Sequence, residues 1–154
     1  MEFKIEYDSI MAYAEEEVSR EAAQTYSADG VSLYDGIRMV SRDEAKKARL
    51  MSEVLVAVKI LCNRFVTADV EDEGEPTSFV FNLELSTRRS SGKEQSLRTM
   101  FRSLTVNLFL NKYFTSKNLA DLATKYDAAA LADVNSIAKL LYEKLPPVYP
   151  SSYE

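Results

Sequence analysis

The residues best suited to chemistry in this 154-residue chain are basic. Five of them fall within fifteen positions: Arg88, Arg89, Lys93, Arg98 and Arg102. Clustered basic side chains bind phosphates, or the carboxylates of an acidic partner, through charge-assisted hydrogen bonds. Arg98 and Arg102 are also one helical turn apart, so the alternative is a solvated loop that leads into the solvent-facing side of a helix. Both interpretations stay open.

The types of residue that are missing weigh against catalysis. The chain has no histidine, which is the usual general base and the commonest metal ligand. Its single cysteine, Cys62, excludes an internal disulfide and a thiolate zinc site. Because Cys62 lies at helical spacing from Leu55 and Val58, we expect a small buried side chain rather than a reactive thiol. We therefore predict no enzymatic activity, no cofactor and no metal.

Two groups of acidic residues could suggest a cation site. The consecutive carboxylates Glu15, Glu16 and Glu17 point in different directions around a helix and do not converge. The acidic stretch at 69–75 lacks the glycine position and the closing glutamate of the helix–loop–helix calcium motif. We predict solvated surfaces for both, the second as a loop. An enzyme that works with carboxylates ranks last among the alternatives.

Composition indicates one folded domain with no general attraction to nucleic acid. Hydrophobic residues make up 46% of the chain and charged residues 28%, with a net charge of −5. An acidic balance disfavours binding to nucleic acid or to an anionic membrane surface. No apolar run is long enough to span a bilayer, and the first residues do not form a signal segment. We expect a cytoplasmic protein without a small-molecule substrate.

Hydrophobic periodicity predicts a mainly α protein, a four-helix bundle with two accessory strands. Alternating apolar residues indicate strands at about 2–7 and 78–87. Helical spacing predicts helices at about 8–26, 42–66, 94–115 and 116–141. The second of these has the broadest apolar face, which predicts a central position. We expect one helical domain over residues 1–145 and an extended, proline-rich tail over 146–154.

The strands and the tail raise the question of a partner. Two strands alone are marginal in water, so they pack on the helices, with the direction of pairing left open. Their outer edges would expose backbone groups that a strand of another copy could pair with. The tail segment containing Pro147, Val148 and Tyr149 either docks on a neighbouring subunit or is a frayed terminus.

One stretch resembles a known class of proteins. Residues 29–66 contain Leu33-Tyr34-Asp35, then Asp43-Glu44, then Leu50, Leu55 and Phe65. This pattern of helix starts and apolar positions resembles the central part of head–tail connector or tail-completion subunits of phages and prophages. The resemblance implies a ring-forming virion subunit between portal and tail, without enzymatic activity, whose loops or termini reach its neighbours.

Two functional expectations follow. The leading one is a structural subunit that forms a homo-oligomer, in its finest form a phage head–tail connector that contacts portal or tail proteins. The alternative is a small adaptor or regulatory protein that binds an acidic partner or nucleic acid through the basic residues named above. The two differ in which surface carries the function.

Overall fold

The computed structural model of the protein describes residues 2–39, 44–62, 66–72, 76–83 and 93–142, and helices predominate within these ranges. The elements in chain order are β1 (Glu2–Glu6), α1 (Tyr7–Ala23), α2 (Tyr34–Ile37), α3 (Glu44–Leu61), β2 (Val66–Asp72), β3 (Pro76–Leu83), α4 (Lys93–Ser116) and α5 (Ala120–Tyr142). The predicted fold class, mainly α with accessory strands, is confirmed. The tail at 146–154 and the end of the second predicted strand, 84–87, lie outside the described residues.

The described part of the sheet has three antiparallel strands in the order β1-β3-β2. Ile5 of β1 and Val70 of β2 both lie opposite Phe79 of the central strand, one on each side. The pairing direction that the sequence left open is therefore antiparallel. β1 and β2 each pair with β3 on one side, so among the described strands they form the two outer edges of the sheet.

β2 corrects the prediction of a solvated loop in the acidic stretch. Val66, Ala68 and Val70 alternate with polar residues, which is the same period that indicated the other strands. The acidic residues between them obscured this pattern. Pairing with β3 orders the segment, and Pro76 occupies the first position of β3, where a strand tolerates proline. As a further consequence α3 ends at Leu61 rather than near 66.

The core lies between the sheet and the helices. Phe79 and Phe81 of β3 are fully buried, and the ring of Phe81 lies 4.6 Å from the ring of Phe101 on α4. α1 contributes a buried stripe at helical spacing, Ile10, Ala14, Val18 and Ala22. This arrangement joins the sheet to the bundle through aromatic contacts, which stabilise more than their buried area alone provides.

The central helix of the structure is α4. The sequence had predicted α3 for this position, because α3 has the broadest apolar face. α4 contacts α5, α3, α1 and β1, whereas α3 packs chiefly on α4 and β2. Val56 and Ile60 of α3 are exposed, so part of the surface of that helix is not covered by another described element. The buried phenol of Tyr113 on α4 also donates a hydrogen bond of 2.6 Å to the carbonyl of Ile37 and so fixes α2.

A tight turn reverses the chain between α4 and α5. Asn118 adopts a left-handed backbone conformation with φ of 60°. The amide of Leu119 donates to the carbonyl of Phe114 and the amide of Asn118 to that of Thr115, which is the Schellman arrangement. The turn brings the two longest described helices together. The side-chain amide of Asn111 on α4 then donates a hydrogen bond of 2.7 Å to the backbone carbonyl of Ala123 on α5.

Candidate functional site

The structure describes three of the eight residues predicted to contact a partner. Arg88, Arg89, Pro147, Val148 and Tyr149 lie outside the described residues. Lys93 is the first residue of α4, and Arg98 and Arg102 follow on the same helix. Arg98 is exposed, as expected of a residue on the solvent-facing side, whereas Arg102 is partly buried. The two arginines that the spacing had placed on one face are therefore in different environments.

Arg102 lines a cleft of about 380 Å³ between α1, α4 and α5. The residues around the cleft are Tyr13, Glu17, Thr99, Arg102, Ser103, Val106, Asn107 and Tyr126. Those from α4 follow one another at helical spacing, so a single strip of that helix forms the floor. α1 supplies one wall and α5 the other, since Tyr13 and Glu17 belong to α1 and Tyr126 to α5.

The guanidinium of Arg102 rests against the aromatic ring of Tyr13. Its central carbon lies 5.6 Å from the ring centroid, within the range of a cation–π contact. One terminal nitrogen, Nη1, lies 3.5 Å from the phenol oxygen of Tyr13, at the limit of a hydrogen bond. Nε of Arg102 is shielded from solvent and has no hydrogen-bond partner among the residues that the structure describes. The guanidinium is thus held in place by the ring while its donors are incompletely used.

The α1 wall of the cleft also carries a carboxylate, Glu17, that is already satisfied. Glu17 accepts a hydrogen bond from Arg20, one turn further along α1, and forms an ion pair with it. The phenol of Tyr126 lies 3.1 Å from the same Glu17 oxygen. The negative charge on this wall is therefore neutralised by residues outside the floor of the cleft.

A second contact network behind this wall fixes α5 to α1. Nζ of Lys125 lies 2.6 Å from Oε1 of Glu21, and the phenol oxygen of Tyr126 lies 3.0 Å from that same atom. Burial by itself raises the pKa of the Glu21 carboxyl, but the hydrogen bonds from Lys125 and Tyr126 outweigh burial, so its pKa lies below the ordinary value. Burial, together with the adjacent Glu21 carboxylate, raises the pKa of the Tyr126 phenol well above its usual range. Both groups hold their usual protonation states near neutral pH.

Asp133 of α5 fixes two of the polar residues of the floor. Its Oδ2 accepts hydrogen bonds of 2.8 Å from the hydroxyl of Ser103 and 2.8 Å from the amide of Asn107. The charge of Asp133 is thereby directed at neutral donors and not at Arg102. Ser103 and Asn107 consequently have defined orientations at the edge of the cleft, which is the property a binding site needs.

Sequence reasoning found one residue of this cleft, Arg102, and missed the others. A signal was present in α4, where Thr99, Ser103 and Asn107 recur at intervals of four. Such a polar strip beside a buried stripe indicates either a solvent-facing side or the lining of a cleft. What the sequence could not indicate is that Tyr13 and Tyr126, from helices far apart in the chain, close the two walls.

The surface offers a second type of candidate site, for other protein chains. Val56 and Ile60 lie one turn apart on α3 with 57% and 66% of their surface exposed. Tyr26, Val31 and Leu33 are exposed around the loop before α2. These side chains are apolar and exposed, and no described strand pairs with the outer sides of β1 and β2.

Cys62 is fully buried and free, in agreement with the expectation of a small core side chain. Burial raises the pKa of its thiol to about 12, so the thiolate is scarcely populated near neutral pH. No group of three or more acidic or cysteine side chains with metal-binding geometry occurs within the described ranges. None of the helices in those ranges is both long and apolar enough to cross a membrane.

Comparison of the chain with protein-family models, with curated proteins and with solved structures finds no match. The class that can be stated is therefore that of the fold, a helical bundle with a small antiparallel sheet. Any functional conclusion has to come from the surfaces and the cleft described above.

Proposed function

We propose that this protein is a non-enzymatic structural subunit that assembles with copies of itself, and that its assembly is a ring of the kind found in phage head–tail connectors. The contact is made by the sheet, whose β1 edge in one subunit pairs with the β2 edge of the next. Because these two edges are different surfaces, the contact is head-to-tail, and head-to-tail contacts close into rings when the rotation between subunits permits.

The observation that carries this proposal is that no described strand pairs with the outer edge of β1 or of β2. β1 contains no proline, and β2 contains none either, so neither edge is blocked against a guest strand. Addition of a strand satisfies the exposed backbone groups of both partners at once. Val56 and Ile60, on the helix that packs against β2, are exposed and add apolar surface for a contact with another copy.

The distribution of charge supports a head-to-tail arrangement. The segment at 69–75 is acidic, and the basic residues Arg88 and Arg89 follow β3 in the sequence. An acidic stretch of one copy and a basic stretch of the next attract each other and disfavour the reverse, like-charged orientation. Charge thus contributes to the choice of orientation, while the strands supply the contact.

The test is the mass of the purified protein, measured by light scattering and sedimentation over a wide range of concentration. Discrete higher-mass species are expected. Proline substitutions at the adjacent residues Thr67 and Ala68 provide a matched pair, because neighbouring residues of a strand direct their N–H groups to opposite sides. The substitution whose lost N–H points away from β3 should keep the fold and abolish assembly. The substitution whose lost N–H points toward β3 should disrupt the pairing of β2 with β3. A monomer at every concentration, alone and with a portal protein added, overturns the proposal.

A second candidate is an adaptor that binds an acidic partner or nucleic acid through Arg88, Arg89, Lys93, Arg98 and Arg102. One observation favours it, namely that the guanidinium of Arg102 has no carboxylate partner among the described residues. Reversing the charge at Arg88 and Arg89 should abolish binding to polyglutamate or to a duplex DNA fragment while the melting temperature stays unchanged. DNA binding that does not weaken with salt excludes phosphate contacts as its cause.

A further inference from the structure

We propose that the cleft between α1, α4 and α5 binds a small organic carboxylate. The carboxyl group of the ligand pairs with the guanidinium of Arg102, and its apolar body lies along Tyr13 and Val106. This site goes beyond the assembly role proposed above and does not depend on it, since the cleft is formed by residues of one subunit.

The balance of charge in the cleft identifies the ligand as an anion. Of the ionic groups that line it, the carboxylate of Glu17 is paired with Arg20 and contacts Tyr126. Arg102 faces the phenol of Tyr13 and has no carboxylate partner within the described residues. One positive charge therefore lacks its counterion, and it is the charge on the floor of the cleft.

The hydrogen-bonding state of Arg102 independently indicates an anionic ligand. Its Nε is shielded from water and donates to no group of the described part of the chain, which is an unfavourable state for a buried donor. The cation–π contact with Tyr13 depends on the distance to the ring centroid, so the guanidinium can turn about its central carbon and keep that contact. A carboxylate that enters the cleft accepts two parallel N–H bonds from the turned guanidinium and removes the deficit.

A carboxylate fits this cleft better than a phosphate. A phosphate monoester carries close to two negative charges near neutral pH, whereas Arg102 offers one positive charge. The other ionic group in the described lining is the carboxylate of Glu17, which is already paired with Arg20, so the second charge of a phosphate would find no cation to match it. A singly charged, planar carboxylate matches both the charge and the fork geometry of a single arginine.

The rest of the cleft suits an apolar or aromatic body of modest size. Its volume of about 380 Å³ falls near the lower end of the range of roughly 300–1,000 Å³ typical of small-molecule sites. The ring of Tyr13 is 47% exposed and lies beside the guanidinium, which places an apolar surface next to the charge. Val106 forms the floor, and Asp133 fixes Ser103 and Asn107 at the edge.

The test is a titration of isotopically labelled protein with phenylacetate and hexanoate, followed by amide chemical shifts. Saturable shifts are expected at Arg102, Ser103 and Val106 with at least one of the two acids. Phenylacetamide has the same shape without the charge, so it should bind at least about tenfold more weakly. Phenyl phosphate should also bind more weakly than phenylacetate, and tighter binding of phenyl phosphate overturns the assignment of a carboxylate.

Variants connect the binding to the guanidinium. Arg102→Gln should weaken phenylacetate binding by at least about tenfold, and Arg102→Lys, which keeps the charge but not the fork, should give an intermediate loss. Arg98→Gln is the matched control, because this arginine lies one turn away on the same helix and does not line the cleft. Melting curves verify that each variant is folded. The proposal is overturned if neither acid produces saturable shifts, or if Arg102→Gln and Arg98→Gln bind as the unaltered protein does.

Discussion

The phenol oxygen of Tyr126 lies 3.0 Å from Oε1 of Glu21, and this contact ties the N-terminal third of α5 to the C-terminal end of α1. Both side chains are buried, with 5% and 8% of their surface exposed. A buried carboxylate is costly unless donors surround it, and here Lys125 supplies the second donor. The contact therefore holds one wall of the cleft in place. It also makes the free energy of unfolding of the protein sensitive to pH.

Glu21→Gln tests that sensitivity. The pKa of Glu21 is lowered in the folded protein, so its carboxylate contributes stability above the ordinary value of 4.5 and loses it as the pH falls through the lower folded value. We expect the free energy of unfolding of the unaltered protein to fall more steeply below pH 4.5 than that of Glu21→Gln. Denaturant titrations over this range measure the difference.

Glu16→Gln is the control for this prediction, because Glu16 is an exposed carboxylate on the same helix. It should leave the pH profile of the free energy of unfolding as it is. Equal slopes for Glu21→Gln and the unaltered protein below pH 4.5 would show that the contacts from Lys125 and Tyr126 do not hold the Glu21 carboxylate in its charged form.

Asn118 provides a test of the turn between α4 and α5. Its φ of 60° is accessible to glycine at no steric cost and disfavours a β-branched residue. Asn118→Gly should change the free energy of unfolding by less than about 0.5 kcal/mol, whereas Asn118→Val should lower it by about 1–2 kcal/mol. Thermal denaturation distinguishes the two, and equal melting temperatures for Gly and Val would contradict the left-handed assignment.

Phe101 tests the contact between the sheet and the bundle. Its ring is fully buried and packs 4.6 Å from that of Phe81, so Phe101→Ala should cost about 3–5 kcal/mol of unfolding free energy. Leu131→Ala removes an apolar side chain that is 47% exposed and should cost less than about 1 kcal/mol. Denaturant unfolding compares the two variants. Similar losses would mean that the sheet is not anchored through this aromatic contact.

The burial of Cys62 predicts how the native protein reacts with thiol reagents. Burial removes access to the sulfur and raises the pKa of the thiol to about 12. We expect a disulfide reagent such as Ellman's to label the native protein only as fast as the protein opens, and to label it at once in guanidinium chloride. Rapid labelling under native conditions would place Cys62 at an accessible surface instead of in the core.

Local patterns predicted the elements well where one face of an element is buried. The stripe Ile10, Ala14, Val18 in α1 and the alternation around Phe79 and Phe81 in β3 each indicated the correct element. They failed where charge masked the alternation, as in β2, and where a broad apolar face made α3 appear more central than α4. In both cases the decisive information is which neighbour covers the element.

The cleft could be predicted only in part, for a related reason. The basic stretch drew attention to Arg102, but its spacing with Arg98 suggested a common solvent-facing side. The structure instead places Arg102 against Tyr13, a residue 89 positions away in the chain. Contacts of that kind depend on how helices pack and not on the period of any one helix.

The position of β3 in the middle of the sheet determines the order in which the sheet is completed during protein synthesis. β1 leaves the ribosome first, yet the strand it pairs with follows only after α1, α2, α3 and β2 have been made. β2 and β3 are neighbours in the chain and can join as soon as both have emerged, because closing a short loop costs little entropy. β1 is therefore the first strand to be synthesised and the last of the three to pair.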